Sequence, residues 1–326
     1  MSAGQNAASQ NTAIQNTTID LSVVIAGVQF RNPVIAASGT FGYGSEYAGF
    51  LDIASLGGIC TKGLTLKPRP GNAGIRIHET ASGLMNSIGL ENPGISVFIE
   101  KELPRLRNLG PVVIANLSGS DIDEYAEGAL LLDASSIDMI ELNISCPNVK
   151  SGGMSFGLDP DMAAEVTRAV RKAASRKPLM VKLSPNAPDL AAVARACINA
   201  GADALSLVNT FTAMAIDIQN RKPVFENISA GLSGPAIKPI ALRMVWELWN
   251  ALHGANISGM EKIPIVGMGG IASAEDALEF LMAGAAAIQV GSATFVHPPA
   301  MNEITAGIKM FMKKKGLSKV SELCIW

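Results

Sequence analysis

Five polar side chains follow short apolar segments of this chain, each at the point where such a segment ends. They are two lysines and three asparagines: Lys62, Asn116, Asn143, Lys182 and Asn209. One lysine or asparagine in such a place is usually a solvated or capping residue, but five in succession are hard to explain that way. Lysine supplies a fixed positive charge, and an asparagine amide both donates and accepts hydrogen bonds. Such a set suits a planar heterocycle that carries a carboxylate.

Cys146 lies just beyond Asn143, ahead of the flexible stretch Ser151-Gly152-Gly153. Most single cysteines are small buried apolar residues. On a loop beside the asparagines and lysines, however, a thiolate could remove a proton from a bound ring. We therefore predict that Cys146 is a catalytic base.

No metal-binding motif accompanies this set. The three histidines, His78, His253 and His297, are scattered, and none of them directly ends an apolar segment. The chain has neither an H-E-x-x-H motif nor paired cysteines, so we predict no protein-bound catalytic metal.

Glycines end the last two apolar segments, at Gly269-Gly270 and Gly291-Ser292. Backbone N–H groups that no side chain obstructs can bind a phosphate, and barrels often hold one at these two loops. Residues 267–272 also match the dinucleotide pattern G-x-G-x-x-A. We reject that interpretation because no acidic residue for a ribose follows about 20 residues later.

Short apolar segments recur along the whole chain and do not alternate with polar residues, which is typical of strands buried on both faces. Amphipathic helical patterns separate most of them, at residues 160–175, 189–200, 235–253 and 274–283. Eight repeats predict one parallel (β/α)8 TIM barrel, and a doubly wound open sheet is the alternative. The eight predicted strands are residues 34–37, 58–61, 112–115, 139–142, 179–181, 204–207, 265–267 and 287–290.

The remaining segments complete this organisation. Residues 63–111 and 211–234 are too long for plain turns, so they should project from the C-terminal rim, where barrels build active sites. Residues 21–30 predict a hairpin that closes the other end. We expect residues 1–18 to be a disordered polar tail and residues 19–326 to form the barrel domain.

Composition limits the functional class. Hydrophobic residues make up 48% of the 326 residues, which is enough for a large core, and the net charge of −2 gives no reason to expect a nucleic-acid partner. The four cysteines are widely spaced, as in a protein of a reducing cytoplasm. No signal peptide and no apolar run long enough to cross a bilayer is present, so we expect a cytoplasmic protein without membrane contact.

Several motifs carry a family resemblance. ELNISCPNV at residues 141–149 strongly resembles the signature of class 1 dihydroorotate dehydrogenases, soluble enzymes of pyrimidine biosynthesis. The class 2 enzymes carry serine where this chain has Cys146. Five further motifs are similar to the family: AASGTFGY at 36–43, NSIGL at 86–90, VKLSP at 181–185, GLSGPAIKP at 231–239 and PIVGMGGI at 264–271.

The resemblance implies an FMN-binding barrel that oxidises dihydroorotate to orotate. A proton leaves C5 of the substrate to Cys146, and a hydride passes from C6 to the flavin. The substrate would be bound by Lys62, Asn86, Ser87, Ile88, Gly89, Leu90, Asn143, Asn148, Asn209 and Thr210. The FMN would be bound by Ser38, Lys62, Gly63, Asn116, Asn143, Lys182, Val208, Gly234, Gly269, Gly270, Gly291 and Ser292.

Three segments resemble the NAD-linked class 1B enzymes: residues 114–120, 152–160 and 231–239. That resemblance implies a homodimer within a heterotetramer, in which an iron–sulfur flavoprotein subunit carries FAD and a 2Fe-2S cluster and passes electrons to NAD. Three alternatives remain open. They are a fumarate-reducing homodimer, an FMN-dependent dihydropyrimidine dehydrogenase and a non-catalytic barrel that only binds a phosphate ligand.

Overall fold

The computed structural model describes residues 18–145, 156–254 and 259–326. Within them, eight parallel strands close a barrel, and each strand pairs with the next along the chain. This confirms the predicted TIM barrel and excludes the open sheet. In chain order, barrel strands one to eight are Val34–Ala36, Gly58–Cys60, Val112–Leu117, Met139–Asn143, Leu179–Lys182, Ala204–Leu207, Ile265–Met268 and Ala287–Val290.

The barrel strands are buried on both faces, which explains why their sequences do not alternate. All five residues of Met139–Asn143 and all four of Leu179–Lys182 are buried. One face of each strand packs into the barrel interior, and the other packs against the surrounding helices.

Helices follow most of the barrel strands, at or close to the predicted positions. The helix Pro160–Ala173 begins at Asp159, whose side chain accepts hydrogen bonds from two backbone N–H groups, and Ala274–Met282 begins with a capping box at Ser273. The first connection contains only the 3-10 turns Ser45–Tyr47 and Ile53–Ser55. The other α-helices are Ile95–Val97, Leu103–Leu109, Ile122–Ala134, Leu190–Asn199, Lys238–His253, Ala293–Val296 and Ala300–Lys315, with a π-helical turn at Phe98–Glu102 and further 3-10 turns at Pro235–Ile237, Met260–Lys262 and Val320–Leu323.

The predicted hairpin is present and closes the N-terminal end of the barrel. Its strands Val23–Ile25 and Val28–Phe30 pair antiparallel. Ile25 and Phe30 are fully buried in a cluster with interior residues of the barrel strands, among them Met139. The opposite end of the barrel is left for a binding site.

The two long rim segments meet in a second sheet, which the sequence did not predict. It consists of the antiparallel strands Ile77–Thr80, Gly83–Asn86, Phe211–Met214 and Ser229–Ser233, and we call it the rim sheet. Asn86 pairs with Gly231, so the segment after the second barrel strand is joined to the segment after the sixth. A smaller pair, Ile216–Asp217 with Lys222–Pro223, extends the second segment.

Candidate active site

A cavity of about 320 Å³ lies between the C-terminal ends of the barrel strands and the rim sheet. Every residue that the sequence predicted for the substrate or the FMN, and that the structure describes, lines this cavity. The other two predicted site residues, Cys146 and Asn148, lie outside the described residues. The structure thus brings the predicted set together, and the role of each member stays a prediction.

A buried carboxylate lies beneath the cavity. Glu141 is on the fourth barrel strand and is fully buried, and it does not itself line the cavity. Five donor groups from five other barrel strands surround it. They are Asn116 Nδ2 at 2.6 Å, Cys60 Sγ at 3.2 Å and Lys182 Nζ at 4.0 Å from Oε1, with Gln289 Nε2 at 2.7 Å and Ser206 Oγ at 2.9 Å from Oε2. A buried charge is tolerated when it is paired and hydrogen-bonded in this way.

Cys60 belongs to this buried layer and is unsuited to act as a base. Burial, together with the negative charge of Glu141, raises the pKa of the Cys60 thiol well above its usual range. Cys60 therefore remains a thiol that donates to Glu141.

A chain of amides connects this layer to the cavity wall. Asn116 accepts a hydrogen bond from Asn143 Nδ2 at 3.4 Å through its Oδ1. The Oδ1 of Asn143 in turn accepts from Ser145 Oγ at 2.7 Å and from Asn209 Nδ2 at 3.4 Å. Asn209 also donates to Ser145 Oγ and accepts from the backbone N–H of Thr210. The three asparagines are thus held in fixed orientations, as binding a flat polar ring requires.

The loop that follows the rim-sheet strand Gly83–Asn86 is held by asparagines. Asn72 Nδ2 donates to Ser87 Oγ at 3.0 Å and to the Ser87 backbone carbonyl at 3.1 Å, and Asn227 Nδ2 donates to the same hydroxyl at 3.4 Å. Gly89 has a φ of 75°, and a Cβ there would lie 2.4 Å from Asn72 Oδ1. Glycine is therefore required where this loop approaches Asn72.

Lys62 supplies a positive charge at the cavity wall. It is half-buried, and in the described part of the chain it takes part in no ion pair within 4.0 Å. Glu91 also lines the cavity, and its pKa is lowered by a hydrogen bond from Arg76 and by the charge of Lys62. The Lys62 ammonium can accordingly pair with an anionic ligand.

The two glycine loops differ in the space around them. Gly270 has a φ of 77°, and a Cβ there would lie 2.8 Å from the carbonyl oxygen of Gly234 and from the backbone nitrogen of Lys238. The atoms nearest to a Cβ on Gly291 would belong to Ala37 and Thr40, at 3.6 Å and beyond. Substitution at Gly270 would therefore strain the backbone, whereas substitution at Gly291 would fill space in the cavity.

Asp276 anchors the first glycine loop. Its Oδ2 accepts from the backbone N–H groups of Ala272 and Ser273, both at 3.0 Å, and Lys238 Nζ donates to its Oδ1 at 2.7 Å. Burial raises the pKa of Asp276, but the hydrogen bond from Lys238 and those from the backbone outweigh it and lower the pKa below the ordinary 3.8.

Sequence reasoning missed the residues that support the site from beneath. Glu141, Ser206 and Gln289 are polar residues within short strands that are buried on both faces. A polar residue in such a strand must find partners inside the barrel, and this signal could have identified all three. Asn72 lies in a long loop and gave no such signal.

The carboxyl ends of the barrel strands thus form a polar site beneath the rim sheet. Comparisons with known proteins identify the family. The dihydroorotate dehydrogenase family model matches residues 20–312.

Within the described residues, no helix is long and apolar enough to span a membrane.

The chain is also similar to three proteins described as the catalytic subunit of dihydroorotate dehydrogenase B (NAD(+)). The one from Petrotoga mobilis is 56% identical over 304 residues, which are 93% of this chain and 98% of the relative. That from Geotalea daltonii is 54% identical over 305 residues, 93% of this chain and 97% of the relative. That from Caldicellulosiruptor saccharolyticus is 51% identical over 304 residues, 93% and 98% of the two chains. This chain belongs to the dihydroorotate dehydrogenase family.

Proposed function

We propose that this chain is a catalytic subunit that binds FMN, oxidises dihydroorotate to orotate in pyrimidine synthesis and passes the electrons to a separate subunit that reduces NAD. The observation that carries the proposal is the single cavity lined by the predicted lysines, asparagines and glycine loops. Family membership supports the same reaction.

The cavity has the groups that FMN needs. Lys182 brings a nearly buried ammonium to the cavity, and Gln289 has a buried Oε1 without a hydrogen-bond partner among the described residues. These groups suit a heterocycle with an N–H donor and an edge that gains negative charge. Gly269, Gly270 and Gly291 line the cavity, and because they have no side chains, a phosphate could approach their backbone N–H groups. When bound, FMN supplies the acceptor for a hydride.

The substrate would lie between the asparagines and the loop that begins at Asn86. Asn143, Asn209 and Thr210 line the cavity and can hydrogen-bond the ring of dihydroorotate. The ammonium of Lys62 pairs with its carboxylate. Ser87, Ile88, Gly89 and Leu90 line the cavity, and this loop would cover the ring and exclude water.

Cys146 would take the proton from C5 of the substrate. It directly follows Ser145, which hydrogen-bonds Asn143 and Asn209. Residue 146 is joined directly to this group of amides along the chain, and a cysteine thiolate can act as a general base. Asn148, two residues further, would complete the contacts with the ring.

The electrons must then leave through another protein. Relay by an iron–sulfur cluster needs several cysteine thiolates close together, and this chain has four widely spaced cysteines. The relatives are described as catalytic subunits of an NAD(+) enzyme. We therefore propose a partner that carries FAD and a 2Fe-2S cluster and docks on a homodimer of this chain, forming a heterotetramer.

Steady-state kinetics of the purified chain tests this function. We expect dihydroorotate to reduce an artificial dye rapidly and to reduce NAD only after the partner subunit is added. Fast NADH production by the chain alone contradicts the need for a partner, and brisk fumarate turnover assigns the protein to the fumarate-reducing class. Oxidation of dihydrouracil in preference to dihydroorotate would identify a dihydropyrimidine dehydrogenase instead.

A further inference from the structure

The reaction proposed above does not use the carboxylate of Glu141. This carboxylate nevertheless contacts five donor groups of the site. Burying a charge inside a barrel is costly, and an apolar residue of similar size would pack there at lower cost. All five of the contacts given above are with donor groups. Donor groups on every side suit a carboxylate, whose two oxygens only accept hydrogen bonds when it is ionised.

Three of the five donors line the cavity and two do not. Asn116, Lys182 and Gln289 reach from Glu141 to the cavity, whereas Cys60 and Ser206 remain in the buried layer. The carboxylate therefore holds the part of the cavity wall that a ligand would contact, without contacting the ligand itself.

The hydrogen bonds to Glu141 decide which end of each amide is turned away from the carboxylate. Because Gln289 donates its Nε2 to Glu141, its Oε1 is left as a buried acceptor with no hydrogen-bond partner in the part of the chain that the structure describes. Because Asn116 donates its Nδ2 to the same carboxylate, its Oδ1 is left to accept from Asn143. A neutral amide at position 141 would have to donate as well as accept. At least one of the amides of Gln289 and Asn116 would then rotate, so that its oxygen and nitrogen exchange places.

We infer that Glu141 is a positioning residue for the flavin. It fixes the acceptor of Gln289 and the amide of Asn116, and it balances the Lys182 ammonium, thereby setting the relative affinity of the site for oxidised and reduced FMN. This inference rests on the proposed binding of FMN. The charged groups of the buried layer among the described residues are Glu141 and Lys182, and Cys60 is its titratable thiol.

The test measures the midpoint potential of bound flavin and the dissociation constant of added FMN for wild type, Glu141→Gln and Lys182→Met. In Glu141→Gln the ammonium loses its negative partner, so negative charge on reduced flavin is better stabilised. We expect reduced FMN to gain at least about tenfold in affinity relative to oxidised FMN, which is a rise of about 30 mV for a two-electron couple. Lys182→Met should shift the potential in the opposite direction. Oxidised FMN should bind Glu141→Gln at least about tenfold more weakly, because the amide of Gln289 or Asn116 has rotated.

Ser206→Ala is the matched control. It also removes a buried hydrogen bond to Glu141, but Ser206 does not line the cavity, so the potential should stay at the wild-type value. An unchanged or lowered potential in Glu141→Gln overturns the inference, as does an equal shift in Ser206→Ala.

A second variant covers the case in which Glu141→Gln does not fold. Glu141→Asp keeps the charge but shortens the side chain, so FMN should bind more weakly while the potential changes little. Wild-type affinity in this variant would overturn the positioning role. Wild-type protein that binds no FMN would instead refute the proposed function, so the two failures are distinguishable.

Discussion

At the scale of single residues, Cys146 carries the most direct chemical prediction. Cys146→Ser should keep FMN bound and slow flavin reduction by dihydroorotate at pH 7 at least about 100-fold, because a hydroxyl is a far weaker base than a thiol. Stopped-flow absorbance measures this rate, and partial recovery at high pH is expected. Cys197→Ser is the control: burial raises the pKa of this thiol to about 11, and it lies on the outer helix Leu190–Asn199. A Cys146→Ser variant that is reduced at the wild-type rate would exclude Cys146 as the base.

Residue types alone predicted the part of the site that ends the barrel strands. Lys62, Asn116, Lys182 and Asn209 could be recognised because a parallel barrel brings all of its strand ends to one rim. The sequence could mark Glu141 as a polar residue in a buried strand, but it could not name the partners of Glu141, because they come from strands far apart in sequence that only the closed barrel brings together.

At the scale of elements, Asp276 links a helix N-terminus to a glycine loop. Its pKa is lowered in the fold, so the stability it contributes is present above about pH 4 and is lost as the pH falls through the lowered value. Asp276→Asn should therefore lower the free energy of unfolding at pH 7 by about 1–3 kcal/mol, and by less at pH 3. Urea unfolding at both pH values measures this difference.

The exposed Asp123, in the first turn of Ile122–Ala134, gives the control Asp123→Asn for the loss of a surface charge. An equal destabilisation by Asp276→Asn at pH 7 and pH 3 would show that the charge of Asp276 contributes nothing to the loop.

The second glycine loop gives a test of the phosphate site. Gly291→Val should fold and bind FMN at least about tenfold more weakly, because its side chain would project into the cavity. Flavin content and thermal unfolding together measure this. Gly49→Val is the matched control, since a Cβ at this exposed glycine meets nothing within 4 Å. Full flavin occupancy in Gly291→Val would place the phosphate elsewhere.

Gly270→Val is a poor choice for the same test. The residue type alone does not reveal this, but the φ of 77° and the close approach to the Gly234 carbonyl oxygen make strain the expected result. Loss of flavin in that variant would not distinguish a blocked phosphate site from a disturbed backbone.

The elements themselves were predictable to different degrees. The eight barrel strands follow from local apolar segments, because a strand buried on both faces needs apolar residues at successive positions. The rim sheet was missed because its strands are short and half-exposed, and because Gly83–Asn86 pairs with Ser229–Ser233 across more than a hundred residues. Such pairing depends on the barrel that holds both segments at one rim.

At the scale of the whole molecule, the barrel supplies a rigid floor and the rim sheet a cover, with the predicted chemistry between them. The fixed amides and the buried Glu141–Lys182 pair hold the polar groups of the site in set orientations. Preorganised polar groups of this kind stabilise developing charge without rearrangement during the reaction. In the proposed function, the separate partner subunit would serve electron exit only.

The central claim is that this one cavity holds both FMN and dihydroorotate. Its most direct test is the visible absorbance spectrum of the purified chain under anaerobic conditions, before and after dihydroorotate is added. We expect a yellow protein whose flavin bands bleach on addition of dihydroorotate, with orotate formed in equal amount to the flavin reduced. A protein without flavin bands after incubation with FMN, or a flavin that dihydroorotate leaves oxidised, would contradict the claim.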